Sequence, residues 1–202
     1  MIMQHLSKII LALAAAILLS NCAIGTSKVR ASHSSLQPVA SKRSGTILVK
    51  PFTDSRKLED KSKVGNKRNG FGMVLGSFAL KGGKTVALTM TEYVSDALKE
   101  AGYNVVMEGS GAAPGSVVLE GDVYEFWLDL FMATWHNVGV DLKLRSQAGA
   151  VVWQKKINGS ETNVLWLGIN SEIEKVIRQA IDKALNQAAR EFASGDFASH
   201  VK

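Results

Sequence analysis

Val138-Gly139-Val140-Asp141-Leu142-Lys143-Leu144-Arg145 decides the fold. Large apolar residues take every second position, with glycine or charge between them. That alternation marks a strand with one face in a core and one in water. Ser146-Gln147-Ala148-Gly149 supplies a turn, and Val151-Val152-Trp153-Gln154-Lys155-Lys156-Ile157 returns, so 138–157 is predicted as an antiparallel hairpin. Upstream, 117–128 is a long strand with Gly121 as its bulge. Tyr103–Met107 is a shorter strand, and Thr46–Lys50 another, stopped by Pro51, which has no N–H for a ladder.

The helical signals are equally local. Val86, Met90, Val94, Ala97, Leu98 and Ala101 recur at helical spacing, which predicts a helix over 84–101 with Thr85 near its N-cap and Gly102 as its stop. Ile173, Val176, Ile177, Ala180, Ile181, Ala184, Leu185, Ala188 and Phe192 share one face of a helix over 171–193. Ser171 and Glu174 have the spacing of a capping box, and Gly195 closes the helix. The expected fold class is α+β: a mainly antiparallel sheet of four to five strands, two helices on one face, in β-α-β-β-β-β-α order.

The N-terminus carries a different signal. Lys8 precedes an apolar run over 9–19, and Cys22 follows as the only cysteine. A bilayer span needs about 20 apolar residues, so this run has the length of a secretory signal. Leu19-Ser20-Asn21-Cys22 resembles a bacterial lipobox, in which the thiol is lipidated and becomes the mature N-terminus. Asn21 stands where Gly, Ala or Ser is usual, and the alternative is an ordinary cleaved signal. Lipidation would also remove a free thiol from an oxidising compartment. Ala23, where Asp usually signals inner-membrane retention, favours the outer membrane by the same resemblance.

This reading divides the chain into a signal peptide (1–21), lipidated Cys22 with a Ser-rich flexible tether (22–44), one domain (45–195) and a tail (196–202). A coil of about 20 residues spans roughly 25 Å. The net charge of +6 falls to +5 once Lys8, one of the 24 basic residues, leaves with the signal. Such a surplus favours anionic headgroups or glycans. Nucleic acid is not an expected partner, because no nucleic-acid motif is present.

Chemistry-bearing motifs are few. Gly82-Gly83-Lys84-Thr85 lacks the earlier glycine of a phosphate loop, since Phe78 stands there. His5, His33, His136 and His200 lack metal-ligand spacing, so no metal, cofactor or catalytic residue is expected. Glu120 and Asp122 share a strand face, as do Glu125 and Asp129, which suits either paired acids or a solvated face. Two stretches are candidate contact sites. One is Val64–Gly72, whose Lys67, Arg68, Asn69 and Phe71 form either a binding loop or a plain loop before an extra edge strand over 71–80. The other is the aromatic run 124–135, with Phe126, Trp127, Phe131 and Trp135. These are either an exposed patch or are covered on both sheet faces.

Ala97-Leu-Lys-Glu-Ala-Gly-Tyr-Asn-Val-Val106, Val118-Leu-Glu-Gly-Asp-Val123, the hairpin, the closing helix and the Val64–Gly72 stretch together resemble YajG-type bacterial lipoproteins over roughly 45–195. The resemblance implies an outer-membrane lipoprotein facing the periplasm, with no catalytic residues to carry over. The expected role is a non-enzymatic binding or scaffold module with an envelope protein partner. An accessory lipoprotein of a lipid-transport system is the alternative, and a cell-wall hydrolase using Glu120 and Asp122 is a third reading.

Overall fold

A long central strand organises the molecule. The computed structural model describes residues 24–109, 117–164 and 169–201; the expected signal peptide (1–21), Cys22 and most of the 108–116 loop lie outside them. Nine strands run β1 (Gly25–Val29), β2 (Thr46–Val49), β3 (Thr53–Asp54), β4 (Lys63–Arg68), β5 (Val74–Leu80), β6 (Asn104–Met107), β7 (Val117–Leu130), β8 (Thr134–Arg145) and β9 (Val151–Asn163). Three helices are α1 (Val86–Glu100), α2 (Asn170–Phe192) and the short α3 (Gly195–Ser199).

Strand β7 pairs along one edge with β8, antiparallel, and β8 with β9. Along its other edge it receives β2, β3 and β4 in succession, all parallel. The sheet extends through β2 to a parallel β6, and through β4 to an antiparallel β5 and then a parallel β1. The α+β class holds, but the sheet is mixed and larger than the four to five antiparallel strands expected. The hairpin and helices lie where periodicity put them. Val138, Val140, Leu142 and Leu144 are buried, as are all nine apolar positions of the long helix.

The bulge does not sit at Gly121. Register shifts between Val123 and Glu125, so buried positions change from odd (117, 119, 121, 123) to even (126, 128). One extra residue flips which face each later side chain meets. Gly121 instead lets the Phe52 ring lie against the backbone: a Cβ there would stand 2.6 Å from the ring.

Helix caps also differ in part from expectation. Thr85 caps α1 by accepting from the Leu88 amide. Ile169, not Ser171, is the N-cap of α2 and offers no side-chain bond, while Glu174 accepts the Arg30 amide. Gly195 does not merely stop α2; Ser194 caps α3 there, and Phe197 is fully buried between Tyr103, Trp153 and Phe192. The tail is thus part of the core.

Residues 24–44 are not a free tether in the structure. Gly25–Val29 is a sheet strand, and 30–43 lie along both helices. The Ser34 and Gln37 amides donate to Asp182 (2.7 Å) and Asn186 (2.8 Å) on α2, and Arg43 Nε donates to Ala193 O. Tyr93 Oη donates to Ala31 O, and Lys42 pairs with Glu100 on α1. The strap is bound mainly through its backbone, which polar composition does not reveal.

Helix α2 presses on β9 at Gly159, where a Cβ would lie 2.0 Å from Ala180 O and 2.8 Å from Ala184 N. Gly159→Ala therefore forces the helix outward. The expected loss is about 1–3 kcal/mol, read as a lower urea midpoint with an unchanged slope.

Candidate functional site

The two candidate stretches, some sixty residues apart in sequence, meet at one end of the sheet. A single row of register partners crosses it: Gly25, Gly76, Lys67, Leu130, Thr134 and Asn163, on β1, β5, β4, β7, β8 and β9. Past this row lie Ile24, the β4–β5 turn, the β7–β8 turn and the end of β9. These places hold Phe71 (89% exposed), Met132 (80%), Ile24, Met73, Val74 and Val164, all exposed; Trp135 sits beside the row.

The expected cations are held by partners within the fold. Lys67 is buried, donates to Ser27 Oγ, and lies 5.3 Å above the Phe78 ring. Arg68 Nε reaches both Asp129 oxygens (2.9 and 3.0 Å), and its Nη1 donates to Gly72 O. Asn69 Oδ1 accepts the Phe71 and Met73 amides and so builds the turn. Of the four loop residues, only Phe71 is presented to a partner. The extra strand does form, but β1 covers it, so β5 is not an edge.

The aromatic run divides at the bulge. Phe126 is in the core, edge-on to His136 at 4.6 Å. Trp127 is half-buried on the opposite face under Lys63, whose amine is 5.7 Å from the ring. Phe131 is half-buried and Trp135 is 36% exposed. Four aromatics in a row of sequence are thus not one patch. Met73, Met132 and Val164, which complete the exposed end, carry no motif; only the strand register could have found them.

A concave surface elsewhere is polar. On the sheet face away from the helices, a depression of about 280 Å³ is lined by Lys50, Thr53, Glu120, Asp122, Asp141 and Arg145, among others. Arg145 Nε lies 2.6 Å from Glu120 and Lys50 Nζ lies 3.2 Å from it. Their bonds, Arg145's above all, hold the Glu120 carboxyl below the usual carboxylate range. A carboxylate held ionised is a poor proton donor near neutrality. Thr53 and Ser55 donate to Asp122, and Gln154 to both oxygens of Asp141. At 82–85 the glycines form a turn, Thr85 is spent as a cap, and Lys84 pairs with Glu92 at 2.9 Å. Among the described residues no group of three His, Cys, Asp or Glu side chains is placed to hold a metal ion. No helix among them is long and apolar enough to cross a membrane.

Neither a protein-family model nor a curated protein sequence matches the chain. Solved structures show partial likenesses of shape. A DUF330 protein from Xanthomonas campestris superposes with a TM-score of 0.49 at 16% identity, covering 83% of this chain and 91% of that one. A minor lipoprotein from Acinetobacter baumannii gives 0.43 at 11%, covering 73% and 90%. Lipoprotein GNA1162 from Neisseria meningitidis gives 0.39 at 14%, covering 66% and 94%.

Proposed function

We propose that this chain is a lipid-anchored envelope protein, YajG-like in plan, that works by binding rather than catalysis. Cys22 carries the lipid, and the domain faces the periplasm from the outer membrane. The observation that carries the reading is the mounting of the N-terminal segment. Strand β1 begins at Gly25, three residues after Cys22, and is hydrogen-bonded to β5. An acylated Cys22 would therefore hold the domain close to the bilayer, with little slack. Two or three acyl chains suffice for stable anchoring.

The polar depression adds support for binding over turnover, since Glu120, Asp122 and Asp141 each already accept a bond from a protein donor. The reading is tested by palmitate labelling of growing cells. Label is expected on the wild type and not on Cys22→Ser, which should also leave the membrane fraction. In-cell crosslinking of the tagged chain then identifies the envelope protein it meets. Absence of label from the wild type would remove the anchor from the account.

A second reading, an accessory lipoprotein of a lipid-transport system, is favoured by the exposure of Phe71 and Met132. It requires lipid to purify with the protein in defined amount.

A further inference from the structure

We infer that the exposed sheet end is a membrane-seating surface, whose Phe71, Met73, Met132 and Trp135 enter the boundary between headgroups and acyl chains. For its geometry this rests on the anchored reading above.

Three observations point to a bilayer as the occupant. First, the exposed apolar residues are concentrated. Leu88 and Val151 lie elsewhere and Ile169 caps α2, but Phe71, Met132, Ile24, Met73, Val74 and Val164 lie past one row of the sheet. Phe71, Met73 and Met132 stand on hairpin turns, which suits insertion into a soft surface.

Second, among the described residues the formal charge at this end is one ion pair, Arg68 with Asp129. Charged residues make up 21% of the chain, yet none occurs in 69–80, 130–135 or 162–164. The nearest cation and anion, Arg68 and Asp129, neutralise each other. Lys67 is drawn inward to Ser27 and the Phe78 face. Burying an unpaired charge in the boundary would be costly, whereas Phe, Met and Trp are favourable there.

Third, the chain enters the fold at this end. Gly25 lies on the row and Ile24 just past it, and the residues before them hold the apolar run 9–19 and Cys22. Whatever ties the N-terminus to a membrane brings these turns to it. The 3-10 turn Lys81–Gly83 lies at the far end of β5.

The test uses the full chain bound to vesicles of phosphatidylethanolamine and phosphatidylglycerol carrying bromine on the acyl chains. Tryptophan is placed at the tip (Phe71→Trp) or at the far end (Lys81→Trp), and bromine quenching of the added fluorescence is compared. Several-fold stronger quenching at 71 than at 81 is expected. Phe71→Asp with Met132→Asp should remove the quenching contributed by Trp135, measured against the same chain with Trp135→Phe, without releasing the chain from vesicles. Equal quenching at 71 and 81 overturns the inference. So does a fluorescence shift at 71 without vesicles that tracks self-association, which would assign the end to a second copy. The two readings fail separately. Palmitate label at Cys22 with no quenching at 71 leaves the anchor and removes the surface; quenching at 71 without label does the reverse.

Discussion

Arg56→Ala is expected to destabilise the domain by about 3–5 kcal/mol, the cost of stranding one partner of a buried ion pair. Arg56 is 7% exposed and Asp54 is buried beside it. The guanidinium meets both Asp54 oxygens (Nε 2.9 Å, Nη2 2.7 Å) and also donates to the carbonyls of Lys61, Lys63 and Phe126. It thereby fastens the loop between β3 and β4 to β7. Removing it leaves the Asp54 carboxylate with the residue-56 amide and one cation, Lys61 at 3.7 Å, and takes the donor from three carbonyls. Arg56→Lys should recover little, because an ammonium cannot span that set of acceptors. Urea unfolding of Arg56→Ala, Asp54→Ala and the double variant checks this. The double variant should lose clearly less than the sum of the single losses. Simple additivity would sink the idea that the pair acts as a unit.

Acidification to pH 5 is expected to weaken the domain by about 2 kcal/mol through His136 alone. The ring is fully buried, and burial pushes its pKa down from 6.5 to about 3, with the Arg56 charge adding to the shift. The folded state keeps the ring neutral while the unfolded state takes up a proton below pH 6.5. Stability is therefore complete above that pH and lost progressively as pH falls toward 3. His136→Leu fits the same side of β8 as Val138 and should flatten the slope between pH 7 and 5. Carboxylates with lowered pKa, such as Glu120, act only at more acidic pH. Urea midpoints of both proteins at the two pH values decide the matter; parallel slopes would show that His136 is not the titrating group.

Where a segment carried its own period, its sequence sufficed. The alternation of Val138 to Leu144 and the helical stripe of Ile173 to Phe192 each bury one face, and a one-residue slip would expose them. The parallel pairings were illegible for a physical reason. Lys63-Val-Gly-Asn-Lys-Arg68 and Gly25-Thr-Ser-Lys-Val29 are strands because neighbours hold their backbones, not because their side chains alternate. Lys67 and Arg68 looked like a ligand's counter-charges because composition does not tell a solvated cation from one spent on Ser27 or Asp129. The apolar end needed two turns and two strand ends from separate parts of the chain, and their meeting is a property of register.

The strap has a consequence for the timing of assembly. Its amides at Arg30, Ser34 and Gln37 find their acceptors on α2, the last long element to be made. Residues 30–37 therefore cannot reach their final contacts until residues 170–192 are available, and the long closure slows that step. Until then the backbone at Arg30, Ser34 and Gln37 lacks these partners, although β1 already has its own in β5.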